Sequence, residues 1–201
     1  IMTSDASPKW AHRTVPHGDS DVVVAGMAKG AGMIHPNMAT MLAFVLTDAD
    51  LTAAAADRIL RDAVAVSFNR ITVDGDTSTN DTCVFMASGQ AGGGRISGPE
   101  SPGYDAVAGA VVAVMDELSR LIIRDGEGAT KMVDVVVEGA ADAAAADRIA
   151  RSIGNSPLFK CALAGADPNW GRIVMAVGKA GADFDGDKLA VDIDDVVLAR
   201  G

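Results

Sequence analysis

The chain has 201 residues, 49% of them hydrophobic, and a formal net charge of −10. That is enough apolar material for one or two globular domains with a buried core. The negative field repels phosphate, which disfavours nucleic acid and anionic membrane surfaces as partners, and no apolar run is long enough to span a bilayer as a helix.

The opening, "IMTSDASPKW", has neither the basic n-region nor the apolar h-region of a signal peptide. The first residue is Ile1, and Gly201 directly follows the apolar run "VVLAR". The expectation is a piece of a longer protein that lacks both ends. Cys83 and Cys161 lie far apart in apolar surroundings, so a disulfide framework is not expected and a reducing cytoplasm is. His12, His17 and His35 show no metal-ligand spacing, and no metal is expected.

In chain order, "VVVAGM" (22–27) follows the turn residues "PHGDSD" and reads as a short buried strand. "TMLAFVLT" (40–47) reads as a second, being apolar, short and bounded by breakers. Asp50 or Thr52 caps a helix to about Phe68, with Ile59, Leu60, Ala63, Val64 and Phe68 on one face. "TCVFMAS" (82–88) is a strand, and "GQAGGGRISGPESPG" a surface loop. A long helix begins at Asp105 and runs through Met115, Leu118 and Ile122. "KMVDVVVEGA" (131–140) reads as a strand, largely apolar over 132–137, and "ADAAAADRIARSIGNSP" as a capped helix ended by Gly154, Asn155 and Pro157. "GRIVMAVGKAG" and "KLAVDIDDVVLAR" complete the strands of an α/β fold. The heptapeptide "AAAADRI" occurs at 53–59 and again at 143–149. A duplicated strand–helix unit would explain it, but alanine bias in helices explains it more simply.

Chemistry centres on "KGAGMIHPNMATMLAFVLTDAD", where Thr40 sits at the mouth of a buried strand after a loop of Gly, Pro and Asn. A threonine hydroxyl needs a base. Cutting the chain just before it frees an α-amine, of pKa about 8 in models, tethered to the same residue. A small residue at position 39 leaves room for the hydroxyl to attack the preceding carbonyl, and Gly30, Gly32 and Pro36 allow an unusual loop conformation. These features are weak alone, since most threonines at strand starts are there for β-propensity.

The wider pattern is more specific. "AKGAGMIHPNMATML" resembles the nucleophile segment of the ornithine acetyltransferase family, the bifunctional glutamate N-acetyltransferase/amino-acid acetyltransferase of arginine biosynthesis. "IMTSDASPK", "FNRITVDGDTSTNDTCVFMASG", "IRDGEGATKMVDVVVEGA", "NSPLFKCALAGADPNWGRIVMAVG" and "FDGDKLAVDID" resemble it in the same order, over essentially the whole chain.

The resemblance implies an α-β-β-α sandwich of the ornithine acetyltransferase/N-terminal-nucleophile-like aminopeptidase type. It implies self-cleavage between Ala39 and Thr40, so that 1–39 ends an α chain and 40–201 begins a β chain, paired as an α2β2 heterotetramer. Thr40 would then pass acetyl from N-acetylornithine to glutamate through an acetyl-threonine ester, releasing ornithine and yielding N-acetylglutamate. No cofactor is implied, and acetyl-CoA is open as a second donor. Lys29 matches the family's substrate-binding lysine, a point charge suited to a carboxylate. Glu127 in "DGEGATK" matches the binding glutamate, suited to an α-ammonium. Thr3 in "IMTSD" matches a binding threonine, with Ser4 where a second threonine is common.

Other readings of the motifs fail on spacing. "VDGDTSTND" places acids like a calcium loop, but Thr79 and Phe85 stand where that loop needs Gly and Glu. It reads instead as a polar turn closing near the site. "GADPNWGR" lacks the Gly spacing and Lys of a phosphate loop, so Trp170 and Arg172 are expected to fix a turn before a strand. "GMAKGAG" is too short for a dinucleotide fingerprint. The family's oxyanion Thr-Gly pair and its C-terminal binding Asn and Thr are not in this sequence, so the isolated chain is expected to be inactive. The rival functions are an N-terminal-nucleophile aminopeptidase, which would hydrolyse peptides, and a non-catalytic binding protein, which would stay uncut.

Overall fold

A computed structural model describes residues 1–35 and 41–201. The chain divides into two compact units, 1–129 and 130–201.

The first unit is a four-stranded sheet with helices on one face. Strands β1 (Lys9–His17), β2 (Ser20–Lys29) and β3 (Leu42–Thr47) run antiparallel in order, and β4 (Thr82–Ala87) pairs parallel to β3. The parallel step requires a crossover, supplied by α1 (Ala53–Val66) and a short 3-10 helix, Phe68–Arg70. Helix α2 (Tyr104–Arg124) follows β4. Alternation along the strands sets the faces. Val22, Val24 and Ala28 of β2 and Ala43 and Val45 of β3 are buried, and form one core with Ala55, Ile59, Ala63 and Phe68 after β3 and with Val107, Val111, Val114, Leu118 and Ile122 of α2. The opposite face leaves Trp10, Val23, Met27, Leu46 and Met86 exposed. The fold is α/β as expected, and the first unit holds a helix layer against a sheet.

The second unit contains α3 (Ala143–Gly154), α4 (Pro157–Ala164), α5 (Trp170–Gly178) and a hairpin of β5 (Ala190–Ile193) and β6 (Val196–Arg200). Its core gathers Ile149, Ile153, Phe159, Ala176 and Val177. The repeated heptapeptide opens α1 and α3 alike. Thr52 accepts a hydrogen bond from the Ala55 N–H at 3.3 Å, and Asp142 from that of Ala145 at 2.7 Å. Ala55 and Ile59 are buried in one copy, Ala145 and Ile149 in the other.

Several expectations need correction. "GRIVMAVG" is helix α5, not a strand. The Asn169 side chain accepts from the Arg172 N–H at 3.3 Å and starts it, so Trp170 and Arg172 stand in its first turn. Arg172 donates to the Leu158 carbonyl at 2.8 Å, tying α5 to the start of α4. Residues 131–140 belong to no strand among the described residues, although Val135 and Val137 pack on the second core. Strand β1 and helix α4 are additions. Pro16 is tolerated in β1 because that strand is at a sheet edge. Among the described residues no helix is long and apolar enough to cross a membrane.

Candidate active site

The expected cleavage residues Ala39 and Thr40 lie outside the described residues. The described residues nearest them in sequence are Met41 and the loop that ends at His35.

Lys29 ends β2, opposite Leu42, which in turn pairs with Thr82. These three residues form a row across neighbouring strand ends. Just beyond Lys29 the backbone turns at Gly30 with φ of +149°, a conformation that L side chains rarely adopt. Glu127 lies against the same loop, where its N–H donates to the Ala31 carbonyl at 2.8 Å. A Cβ added to Gly32 would come within 2.9 Å of the Glu127 carboxyl carbon, so Gly32 and the Glu127 carboxylate lie in close contact. Glu127 is exposed and makes no ion pair among the described residues; the same holds for the half-buried Lys29. Both charges are therefore available to a ligand.

Thr3, Lys29 and Glu127 come from distant parts of the sequence, and a buried ionic knot gathers their segments. Lys9 is buried on β1 and donates to Asp5 at 2.6 Å and to Asp125 at 2.5 Å. Asp5 also accepts from the Gly30 N–H at 2.7 Å and the Thr3 N–H at 3.1 Å, and Asp125 accepts from the Ala6 N–H at 3.0 Å. Thr3 is thus bonded to the knot directly, Lys29 adjoins a residue bonded to it, and Glu127 follows Asp125 by two positions. Burial by itself pushes the Asp5 carboxyl up. The Lys9 ammonium and the Gly30 and Thr3 N–H groups outweigh it and hold Asp5 well below the usual carboxylate range. For Asp125 too, burial opposes the shift and the Lys9 hydrogen bond prevails, lowering it.

The "VDGDTSTND" run closes on the same loop, as expected. Asp74 accepts from the Ile34 N–H at 3.0 Å and the Asp76 N–H at 3.0 Å, and the Thr77 hydroxyl donates to the His35 carbonyl at 3.2 Å. Asp74 thus organises backbone on both sides of the contact.

The last residue of this run, Asp81, is a site candidate that the sequence did not single out. One of its oxygens accepts a hydrogen bond from the Met41 N–H. The other is buried and has no hydrogen-bond partner among the described residues. Burial pushes the carboxyl up to about 6, while the Met41 N–H and the Lys29 ammonium pull the other way.

Comparison with known proteins identifies the family. A model of the ArgJ family matches residues 1–201. The chain belongs to the ArgJ family. It is 50% identical over its whole length to the arginine biosynthesis bifunctional protein ArgJ of Bradyrhizobium diazoefficiens, covering 49% of that protein. With ArgJ of Methylococcus capsulatus the identity is 52%, over all of this chain and 50% of that one. The chain thus spans about half the length of the curated ArgJ proteins it matches. The crystal structure of ArgJ from Bacillus halodurans is similar with a TM-score of 0.74 and 40% identity, over 78% of this chain and 73% of that one. The ArgJ resemblance found in the sequence motifs therefore extends to the fold.

Proposed function

We propose that this chain is part of an acetyltransferase of arginine biosynthesis that moves the acetyl group of N2-acetyl-L-ornithine to L-glutamate. The observation that carries the reading is family membership over all 201 residues, including the segments of Thr3, Lys29 and Glu127. The word "bifunctional" in the relatives' name supports acetyl-CoA as a second donor. No cofactor is invoked.

The nucleophile is made by the protein itself. The Thr40 hydroxyl oxygen attacks the Ala39 carbonyl carbon, the Ala39–Thr40 C–N bond breaks, and the nitrogen leaves as an amine. Water then hydrolyses the ester, giving an Ala39 carboxylate and a free Thr40 hydroxyl. In turnover that oxygen bonds to the acetyl carbon of the donor and its proton passes to the Thr40 α-amine. The proton goes on to the departing nitrogen as the acetyl C–N bond breaks, and ornithine leaves. The glutamate amine attacks the acetyl-threonine ester, and threonine recovers its proton. Lys29 is assigned to the α-carboxylate of donor and acceptor, and Glu127 to the α-ammonium of glutamate as it arrives and of ornithine once it is released. Both roles suit charges that form no ion pair among the described residues. The cut pieces, 1–39 and 40–201, remain joined as α and β chains in a cytoplasmic α2β2 assembly.

Intact mass spectrometry of the full-length protein, wild type and Thr40→Ala, tests this reading. The expected result is a break before Thr40 in the wild type, an unbroken variant, and acetyl transfer to glutamate by the wild type alone. Peptide hydrolysis without acetyl transfer would instead favour an aminopeptidase.

A further inference from the structure

We propose that Asp5 is a positioning residue for the candidate substrate site. Its buried carboxylate holds the turn that follows Lys29, and so sets where the Lys29 ammonium meets the substrate α-carboxylate before any substrate arrives. The inference rests on the reading that Lys29 binds that carboxylate.

The argument starts where the sheet stops. The β2–β3 ladder ends at Lys29↔Leu42. Gly30, buried and at φ +149°, turns the chain away, so its N–H lies past the last strand pair. A buried N–H needs an acceptor, and Asp5 Oδ1 provides it at 2.7 Å. That bond fixes the plane of the Lys29–Gly30 peptide, which is rigid up to the Lys29 Cα. The next residue is held as well, since the Ala31 carbonyl accepts from the Glu127 N–H at 2.8 Å. Two successive residues after Lys29 are therefore clamped by groups from distant parts of the chain. The second oxygen of Asp5 accepts from the Thr3 N–H at 3.1 Å, which anchors the clamp itself.

Lys9 makes such a clamp tenable. The Asp5 side chain has 0% exposure, and a carboxylate so enclosed needs a counter-charge. The Lys9 ammonium supplies it at 2.6 Å, on the same oxygen that takes the Gly30 N–H. Lys9 also grips Asp125, two positions before Glu127. Buried ion pairs add little stability over apolar side chains of similar volume, so stability alone is a weak reason for this one. Fixed geometry is a better one. Lys29 is half-buried and forms no ion pair among the described residues, so no salt bridge holds its ammonium in place. Its placement is left to the backbone beneath it, and a binding group out of place by about 1 Å loses much of its effect.

The test uses the full-length protein with Asp5→Asn, in which Lys9 keeps Asp125 as a partner. The amide offers one accepting oxygen where the carboxylate offered two. Acetyl transfer from N-acetylornithine to glutamate is measured for Asp5→Asn, Lys29→Met and the double variant. Asp5→Asn is expected to raise KM about 10-fold for donor and acceptor alike, with kcat changed less than about 2-fold, because the lost interaction is the same in ground and transition states. A lower kcat with unmoved KM, the mark of a structural role alone, overturns the proposal. In the double variant, Asp5→Asn is expected to add less than about 2-fold to the KM of Lys29→Met, because its effect passes through Lys29; additive effects overturn the proposal. Should Asp5→Asn not fold, hydrogen exchange of the wild-type Gly30 amide decides. Without substrate it should exchange at least about 100-fold more slowly than an open chain, and an amide that is protected only once substrate is bound overturns the proposal. An unmoved KM in Lys29→Met sinks the reading beneath this one, whereas a raised KM there with an unmoved KM in Asp5→Asn sinks only the role of Asp5.

Discussion

Lys9 is the least expected residue at the scale of single side chains. Its ammonium is buried, with 1% of the side chain exposed, between two carboxylates of which Asp5 is wholly enclosed. Removing one partner from such a set leaves the others buried and uncompensated, which costs more than the set contributes. Lys9→Met is expected to destabilise the protein by about 3–5 kcal/mol, measured by denaturant unfolding. Lys9 and Asp125 are 116 positions apart, and Asp5 and Gly30 are 25 apart. No local pattern in the sequence reports such a pairing. Lys29 and Glu127, in contrast, are singled out by their match to family motifs, and the structure sets both beside the loop that starts at Gly30. Asp81 fell between these cases. Its run was expected to close near the site, but nothing marked this acid from Asp74 or Asp76 until its contact with Met41 was known.

Among the secondary-structure elements, legibility followed the strength of the local signal. Helices α1 and α3 were readable because a capping residue precedes a periodic apolar face in each. Helix α2 was readable from Met115, Leu118 and Ile122, all buried. Helix α5 was misread because a short apolar run such as "RIVMAVG" suits a buried strand equally well. The deciding group was the Asn169 side chain on the Arg172 N–H, a cap that was overlooked. Residues 131–140 failed for a different reason. A strand is defined by a partner as well as by its own residues, and none pairs with this stretch among the described residues. Strand β1 was missed because its exposed side alternates irregularly and Pro16 argues against a central strand.

For the molecule as a whole, the two units differ in how they hold their charges. The first encloses the Asp5–Lys9–Asp125 knot, while the second has ion pairs such as Lys188–Asp185 and Arg200–Asp192 that are open to solvent. The folded-state value of Asp5 lies below its unfolded value of about 4. Its contribution is therefore present above that value and is lost as pH falls further. Acidification below about pH 4 is expected to unfold the first unit before the second. Methyl NMR signals of Ile59 and Ile122 should then lose dispersion before those of Ile149 and Ile153. Simultaneous loss would show that the knot does not govern acid stability.

The placement of β2 between β1 and β3 also has a consequence for the proposed cut. Six residue pairs, from Val24↔Thr47 to Lys29↔Leu42, join β2 to β3 across position 40, and Lys9 grips Asp125 from the other side of it. Severing the backbone there leaves a hairpin docked noncovalently in the body it was cut from. Residues 1–39 and the remainder should behave as a split-protein pair. Made from separate messages, each would supply what the other needs to fold, and reconstitution would regenerate the sheet without a peptide bond between its middle strands.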